Sequence, residues 1–333
     1  MVSVLLPAYN AETGLQRAAD SILNQSLTDL ELILIDDRSS DRTGEIASVI
    51  READQRVRII RSQSPHGLVS SLNQGIATAR GSFVARMDAD DFSHPERLRK
   101  QVEFLDQNPN ISACGTLVSI PDPLGEGIVR YAEWSNGLVR PDQIRRERFI
   151  ESPVVHPSMM VRSEALDTMG GYRDLEWAED YDLWLRMLEA SLEIGKVPEV
   201  LFDWHDHPDR LTRGDDRYSE IHFLQAKAHF LSRIEEVTRF GVAICGAGPT
   251  GKKLTKLLQD EGTKIVSLYD VNPRRIGEAI AGVPILHHSE IPSAQHDAAV
   301  LVSALGQPSA LRGLRDKVSQ LGYEEGVNFY AAS

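Results

Sequence analysis

The residues of this chain whose types and spacing could do chemistry begin with Asp88-Ala89-Asp90-Asp91, which closes a β-prone run over 82–85. Carboxylates crowded at a strand end repel one another and desolvate badly, so the cluster costs stability unless something positive joins it. A hard divalent cation takes oxygen ligands from one or two carboxylates and keeps its other positions for water and substrate phosphates. If the strand continues, Asp88 and Asp90 point the same way and can both face one diphosphate. A solvated acidic turn is the alternative.

Three further groups are candidates. Glu179-Asp180 opens a helix whose Tyr181, Leu183, Trp184, Leu185, Met187 and Leu188 supply buried surface. The helix dipole stabilises either acid there as a cap. Trp204-His205-Asp206-His207 brings two imidazoles close together. Gly246-Ala247-Gly248-Pro249-Thr250-Gly251 follows a strand over 240–245 and precedes a helix running through Leu258. Asp270 stands about 20 positions on, the spacing of a dinucleotide-binding unit with Gly246, Gly248 and Gly251 at its turn. A structural or assembly domain with an empty glycine-rich turn is the alternative there.

These residues need elements to position them. A continuous apolar run over 2–6, closed by Pro7, predicts a buried strand. Leu15, Ala18, Ala19, Ile22 and Leu23 give helical spacing over 12–25. Strands over 31–35 and 57–61, helices over 43–53 and 68–79, and a strand after Gly81 continue the alternation. That is the pattern of a doubly wound α/β sheet, in which ligands sit off the carboxyl ends of the strands. Tyr9, Asp37 and Asp88 all lie at such ends and should converge on one crevice. Asp37 could accept the imide N–H of a uracil while Tyr9 stacks on the base. An Asx-turn or N-cap for Asp37, and a rim aromatic packing role for Tyr9, are the alternatives. Further on, a helix over 96–105, a strand over 111–120 and a strand-like run over 197–202 are expected, with one long helix over 216–239. The expected organisation is a domain over 1–215, a linker helix over 216–238 and a smaller domain over 239–333.

Composition narrows the classes. The chain has 333 residues, 41% apolar and 26% charged, as a soluble globular protein of two domains would. A formal charge of −13 argues against a nucleic-acid partner, which calls for a basic face. No apolar run approaches the roughly 20 residues of a membrane span. The start of the chain has no basic leader and meets Pro7 early, and only Cys114 and Cys245 are present. The expectation is a cytoplasmic protein without a transmembrane segment, a disulfide framework or a zinc cluster.

Taken together, Leu5-Leu6-Pro7-Ala8-Tyr9-Asn10, Ile35-Asp36-Asp37-Arg38-Ser39-Ser40-Asp41 and Ala85-Arg86-Met87-Asp88-Ala89-Asp90-Asp91 resemble the family 2 inverting glycosyltransferases of the GT-A fold. Pro95-Glu96-Arg97-Leu98 and Lys100-Gln101-Val102 are similar to the bacterial exopolysaccharide and O-antigen members. The resemblance implies a nucleotide-sugar donor, most simply a UDP-sugar, a glycan or lipid-linked acceptor, and Mn2+ or Mg2+. Tyr9 and Asp37 would hold the base, with Pro7 beside them, Asp88 the ribose and Asp90 the metal. Asp91 would orient Asp90 or cap the helix after Pro95. The stretch over 156–162 resembles the strand that precedes Gly170-Gly171-Tyr172 in this family. Glu179 would then contact substrate, and Asp180 would be the general base that deprotonates the acceptor hydroxyl. His207 matches a family histidine and would be the third metal ligand, imidazole suiting manganese better than magnesium. His205 and Asp206 are alternatives. The family commonly has Asn before the glycine where this chain reads Gln63-Ser64-Pro65-His66-Gly67. The segment Tyr269-Asp270-Val271-Asn272-Pro273 resembles small Rossmann-like domains appended to sugar-modifying enzymes. Two rival functions follow from the same residues: a nicotinamide-dependent oxidoreductase built on 246–270, and a non-catalytic nucleotide-sugar sensor. Peripheral membrane association and a homo-oligomer stay open.

Overall fold

Apolar strands and amphipathic helices alternate from the start of the chain, and they fold as layers around a sheet. The computed structural model describes residues 1–62, 67–208, 210–294 and 298–333; the departure at 63–66 lies outside the described residues. Two compact units are present. Met1–Ile144, Pro153–Leu175 and Glu179–Gly214 make the first, and Arg145–Ser152, Glu176–Ala178 and Asp215–Ser333 the second.

The first unit opens with β1 (Val2–Ala8), α1 (Leu15–Leu23), β2 (Leu30–Asp36), α2 (Thr43–Ala53), β3 (Val57–Arg61), α3 (Gly67–Thr78) and β4 (Phe83–Arg86). It continues through β5 (Phe92–Ser93), α4 (Arg97–Gln107), β6 (Ile111–Ser119), α5 (Glu126–Gly137) and α6 (Pro141–Glu147). A 3-10 turn, His156–Ser158, leads into β7 (Met160–Arg162), α7 (Ser163–Met169), α8 (Glu179–Glu189), β8 (Glu193–Asp203) and α9 (Leu211–Gly214). The eight strands order as β3-β2-β1-β4-β7-β6-β8-β5. Strands β1 to β4 pair in parallel, and β7 runs against β4 and β6. Both faces of this sheet are covered, which is why its strands read as unbroken apolar runs. Val2, Val4 and Leu6 pack with Leu15, Ala18 and Ile22, whereas Leu5, Ile33 and Ile35 pack with Leu72 and Trp184. Each such fully buried Leu or Ile contributes about 1.5–3 kcal/mol.

Pro7 does not close β1; the strand runs on to Ala8. Its pairing with β4 ends at Leu5↔Arg86, while pairing with β2 continues to Ala8↔Asp36. The missing N–H of Pro7 therefore faces no ladder on that side. The strand expected over 156–162 is replaced at its start by the 3-10 turn, where Pro157 cannot donate to a neighbouring strand.

The second unit contains α10 (Glu220–Ser232), α11 (Glu235–Phe240), β9 (Val242–Cys245), α12 (Pro249–Asp260) and β10 (Ile265–Asp270). It ends with β11 (Ala279–Ile280), β12 (Val283–His287), β13 (Val300–Ser303), α13 (Pro308–Gln320) and β14 (Phe329–Ala331). Its sheet order is β11-β12-β10-β9-β13-β14, parallel apart from the β11 edge. The single long helix expected over 216–239 is broken. Ser232 Oγ turns back onto the His229 carbonyl at 2.7 Å, and Ile234 is extended (φ −66, ψ 131) before α11 starts. A serine that bonds its own helix backbone in this way competes with the helical ladder.

Candidate active site

Strands β1 and β4 are neighbours at the point where strand order reverses, and the chain leaves both toward the same edge. A crevice forms there because the two connections depart to opposite sides. The Met87 N–H still bonds the Leu5 carbonyl at 3.0 Å, and beyond it the backbone turns, with Asp91 N–H on the Asp88 carbonyl at 3.4 Å. Strand alternation therefore does not align Asp88 with Asp90, as had been expected; the turn gathers them. One oxygen from each of Asp88, Asp90 and Asp91 lies within 4.8 Å of the others.

Each acid has its own partner. Asp88 pairs with the buried Arg86 guanidinium at 2.5 Å. Asp90 faces His207 Nε2, also at 2.5 Å. Asp91, only 1% exposed, accepts the His205 backbone N–H at 2.8 Å on Oδ1, and its buried Oδ2 has no hydrogen-bond partner. Asp91 therefore does not cap α4; it holds the His205 backbone beside Asp90. Burial pushes the Asp91 carboxyl well above its ordinary range, and the charges of Asp90 and Asp88 add to this against Arg210 and the His205 N–H. Carboxylate oxygens with one imidazole, plus an orphaned buried oxygen, form a donor set that fits a hard divalent cation such as Mn2+ or Mg2+. Of the alternatives near His207, the His205 ring lies 3.3 Å from the Asp203 carbonyl, and Asp206 binds Arg213 and the Leu124 N–H.

Several supports of this turn were not recognised in the sequence. Arg97 is fully buried, donates to the Pro157 and Arg86 carbonyls at 3.0 and 2.8 Å, and attracts Asp91. Burial pulls its pKa down to about 9. Gln101, one helical turn on, donates to the Cys114 and Ser158 carbonyls at 2.9 Å each. Their signal was available: Arg97, Gln101 and Leu105 share one face of a helix that is apolar at Leu98 and Leu105. Gly14 is the second support. A Cβ built there would sit 2.4 Å from the Ala89 carbonyl oxygen, so α1 approaches the acidic turn as only glycine permits.

On the nucleotide side Tyr9 is 64% exposed, as a stacking platform must be. Asn10, at φ 48, holds the 39–40 loop by accepting the Ser40 N–H at 2.9 Å on its side chain. The buried Asp37 accepts the Gly67 N–H at 2.9 Å, which fastens the start of α3 to the end of β2. Pro7 lies opposite Ile35 in the same strand pair. Asp41 accepts the Thr43 N–H at 3.0 Å, an Asx-turn one residue before the N-cap position of α2.

The second acidic group is carried by α8. Glu179 and Asp180 are both buried in its first turn. His156 joins Glu179 to Tyr172: its Nε2 is 2.7 Å from the Tyr172 hydroxyl and its Nδ1 3.5 Å from Glu179 Oε1. Tyr172 is fixed in turn by two backbone bonds to the Asn73 amide, each 2.9 Å. Burial raises the Tyr172 phenol well above its ordinary pKa; Arg86 opposes this, while Glu179, Asp180 and Asp88 add to it. Glu179, Asp180 and Asp88 thus all act on the one phenol.

In the second unit the glycine-rich turn has the close packing of a dinucleotide fold. A Cβ on Gly251 would lie 1.8 Å from the Gly246 carbonyl oxygen, and Gly246 has φ +106. Gly248 precedes α12 with Pro249 at its first position. Asp270 is engaged internally: Oδ2 takes the Ala247 N–H at 2.8 Å and Arg275 at 3.0 Å, and Oδ1 takes the Asn272 N–H at 2.8 Å. The acid that would hold a ribose is therefore part of the turn itself, and no chemistry is assigned to this unit.

Comparison with known proteins was made against this geometry. The profile of Glycosyl transferase family 2 matches residues 3–170, and that of the CoA binding domain matches residues 238–318. EpsE of Bacillus subtilis, named as a glycosyltransferase, is 34% identical over 222 residues, covering 66% of this chain and 77% of that protein. Hyaluronan synthase of Pasteurella multocida is 26% identical over 243 residues, 73% of this chain but 24% of the synthase. Among solved structures, S. aureus TarS 1-349 in complex with UDP-GlcNAc superposes with a TM-score of 0.57 at 16% identity, covering 77% of this chain and 71% of that one. The mannosyltransferase PcManGT from Pyrobaculum calidifontis, solved with GDP-Man and Mn2+, gives 0.51 at 20% identity, covering 78% and 68%. At these identities the likeness is one of fold, the GT-A arrangement expected from the sequence, with a Rossmann-like unit after it. No described helix is long and apolar enough to cross a membrane.

Proposed function

The chain belongs to glycosyl transferase family 2, and on that premise we propose that its first unit transfers a sugar, with inversion, from a nucleotide-diphosphate sugar to a hydroxyl of a glycan or lipid-linked acceptor. A UDP-sugar is the donor we favour, since TarS was solved with UDP-GlcNAc; PcManGT, with GDP-Man, makes a GDP-sugar the competing choice. The observation that supports the reading is the gathering of oxygens from Asp88, Asp90 and Asp91 within 4.8 Å of one another, with His207 Nε2 on Asp90.

Mn2+ or Mg2+ held by Asp90 and His207 would supply Lewis-acid stabilisation of the leaving diphosphate. The chain's own residues do the rest. Tyr9 stacks on the base, Asp37 accepts from it, and Pro7 lines the same wall. Asp88, steadied by Arg86, lies where the ribose would pass. Glu179, held through His156, orients a sugar hydroxyl. Asp180 takes the proton of the acceptor hydroxyl as that oxygen attacks the anomeric carbon from the face opposite the diphosphate. Positioned proton transfer of this kind contributes about 10²–10⁴-fold. A single displacement inverts the anomeric centre. The donor is a cytoplasmic metabolite class, so the reaction is expected on that side.

Asp180→Asn tests the assignment. UDP binding in the presence of Mn2+, read by calorimetry, should match the wild type, while turnover of whichever nucleotide sugar the wild type cleaves should fall by at least the lower bound of about 10²-fold. Full turnover in the variant would remove Asp180 from the base role.

A further inference from the structure

We propose that Asp206, which faces away from the acidic turn, is the positioning residue that sets the reach of His207 toward Asp90. The inference rests on reading the Asp88–Asp91 turn as a cation site.

From the end of β8 runs a connecting segment, residues 203–207, whose successive members hold different anchors. Asp203 enters it tied to His94 Nε2 at 2.9 Å and to Ser119 Oγ at 2.5 Å. The Trp204 N–H bonds the Ser119 carbonyl at 2.8 Å, and the His205 N–H bonds Asp91 Oδ1 at 2.8 Å. At the far end Arg210 lies 4.1 Å over the Trp204 ring and donates to the His205 carbonyl at 3.0 Å. Between these fixed ends the His207 ring meets Asp90.

Asp206 supplies the side-chain tie next to that ring. Its side chain has 0% exposure, and its oxygens accept from Arg213 at 2.7 and 2.8 Å and from the Leu124 N–H at 3.0 Å. A carboxylate gripped on both oxygens by Arg213 and on one by a backbone N–H is held in one geometry, because each donor left behind would lose a charge-assisted bond. The side chain of Asp206 is thus bound to the 121–125 loop and to α9, and its immediate neighbour can present Nε2 to Asp90 from one direction only. Partners that orient a metal-binding histidine act in this way without touching the ion.

The test is a titration of Mn2+ into the full chain, followed by the manganese EPR signal, with UDP or GDP saturating in parallel arms. Asp206→Ala should weaken Mn2+ binding by about 10-fold, the lower end for such partners. Asp206→Asn, which keeps an acceptor for the Leu124 N–H, should weaken it less, and serves if the alanine variant folds poorly. Nucleotide binding without metal should not change, whereas a general loss of structure would lower it. The double variant Asp206→Ala/His207→Ala should bind Mn2+ no more weakly than His207→Ala alone. Wild-type affinity in Asp206→Ala, or a loss that adds in full to that of His207→Ala, overturns the proposal. If His207→Ala leaves Mn2+ binding unchanged, the proposal falls while the acidic turn stands as a cation site. If the wild type binds no Mn2+ with either nucleotide, the cation site and the proposal fall together.

Discussion

Gly14→Ala probes the least conspicuous support of the site. The backbone at Gly14 (φ −110, ψ −29) is open to any residue, so the substitution introduces no conformational strain. Its effect must come from the new methyl alone. That methyl would stand 2.4 Å from the Ala89 carbonyl oxygen and 3.2 Å from the Asp90 Cα. Restoring ordinary contact requires a retreat of about 1 Å by backbone atoms. The acidic turn has little freedom to retreat, since Arg17 holds the Asp90 carbonyl and the His205 N–H holds Asp91. Overpacking of this kind costs about 1–3 kcal/mol of stability. A displacement of about 1 Å at reacting groups costs on the order of 10²-fold in rate. Mn2+ affinity by EPR with UDP present, together with nucleotide-sugar turnover, should both fall in Gly14→Ala. Gly127→Ala is the control, because a Cβ there meets nothing within 4 Å and lies inside α5. It should leave both readouts at the wild-type level. Undiminished metal binding and turnover in Gly14→Ala would refute the idea that α1 sets the position of the turn.

Two other perturbations follow from the buried charges. Arg97→Met strands the Pro157 and Arg86 carbonyls and removes the cation facing Asp91, so chemical denaturation should reveal a loss of about 3–5 kcal/mol, and a variant as stable as the wild type would contradict this. In the second unit burial raises the Asp270 carboxyl, but the Asn272 and Ala247 N–H groups and Arg275 outweigh it and hold its pKa below the ordinary value. Its contribution is therefore present above the unfolded pKa and lost as pH falls through the folded one. Asp270→Asn should cost about 1–3 kcal/mol at neutral pH. The difference from wild type should close as pH falls below about 3.9.

What the sequence revealed and what it hid divide along physical lines. Helix α2 begins at Thr43 and α8 at Glu179, as local signals indicate: an Asx-turn at Asp41 for one, paired acids at a dipole terminus for the other. The strand ends carrying Tyr9, Asp37 and Asp88 were legible because the apolar runs of β1, β2 and β4 give way there to polar and charged residues. The alignment of Asp88 with Asp90 was misread because strand alternation was extended past Arg86, where pairing ends. Pro7 was misread because whether a missing N–H matters depends on a neighbouring strand that ends at Arg86. Nothing local signals that Gly14 faces the Ala89 carbonyl, whereas Arg97 and Gln101 share the face of Leu105 and so could have been read as buried. The same holds for Arg145–Ser152, which clusters with residues after Asp215 despite lying among those of the first unit in sequence. Tertiary neighbours decide such positions, and one sequence does not name them.

The charge arrangement explains how three carboxylates can share one turn. Asp88 is offset by Arg86, Asp91 by Arg97 and Arg210, and Asp90 by His207. The orphaned Oδ2 of Asp91 and the upward push on its pKa indicate that these partners do not fully balance the turn. A divalent ion would complete the balance and, by drawing in a diphosphate, set the donor beside Asp180.

The most direct test is an anomalous difference map at the manganese edge from crystals of the full chain grown with UDP and Mn2+. The account predicts one peak bonded to Asp90 and His207, with diphosphate oxygens completing its shell. A peak lodged elsewhere, with the Asp90 carboxylate turned into bulk water, would contradict it.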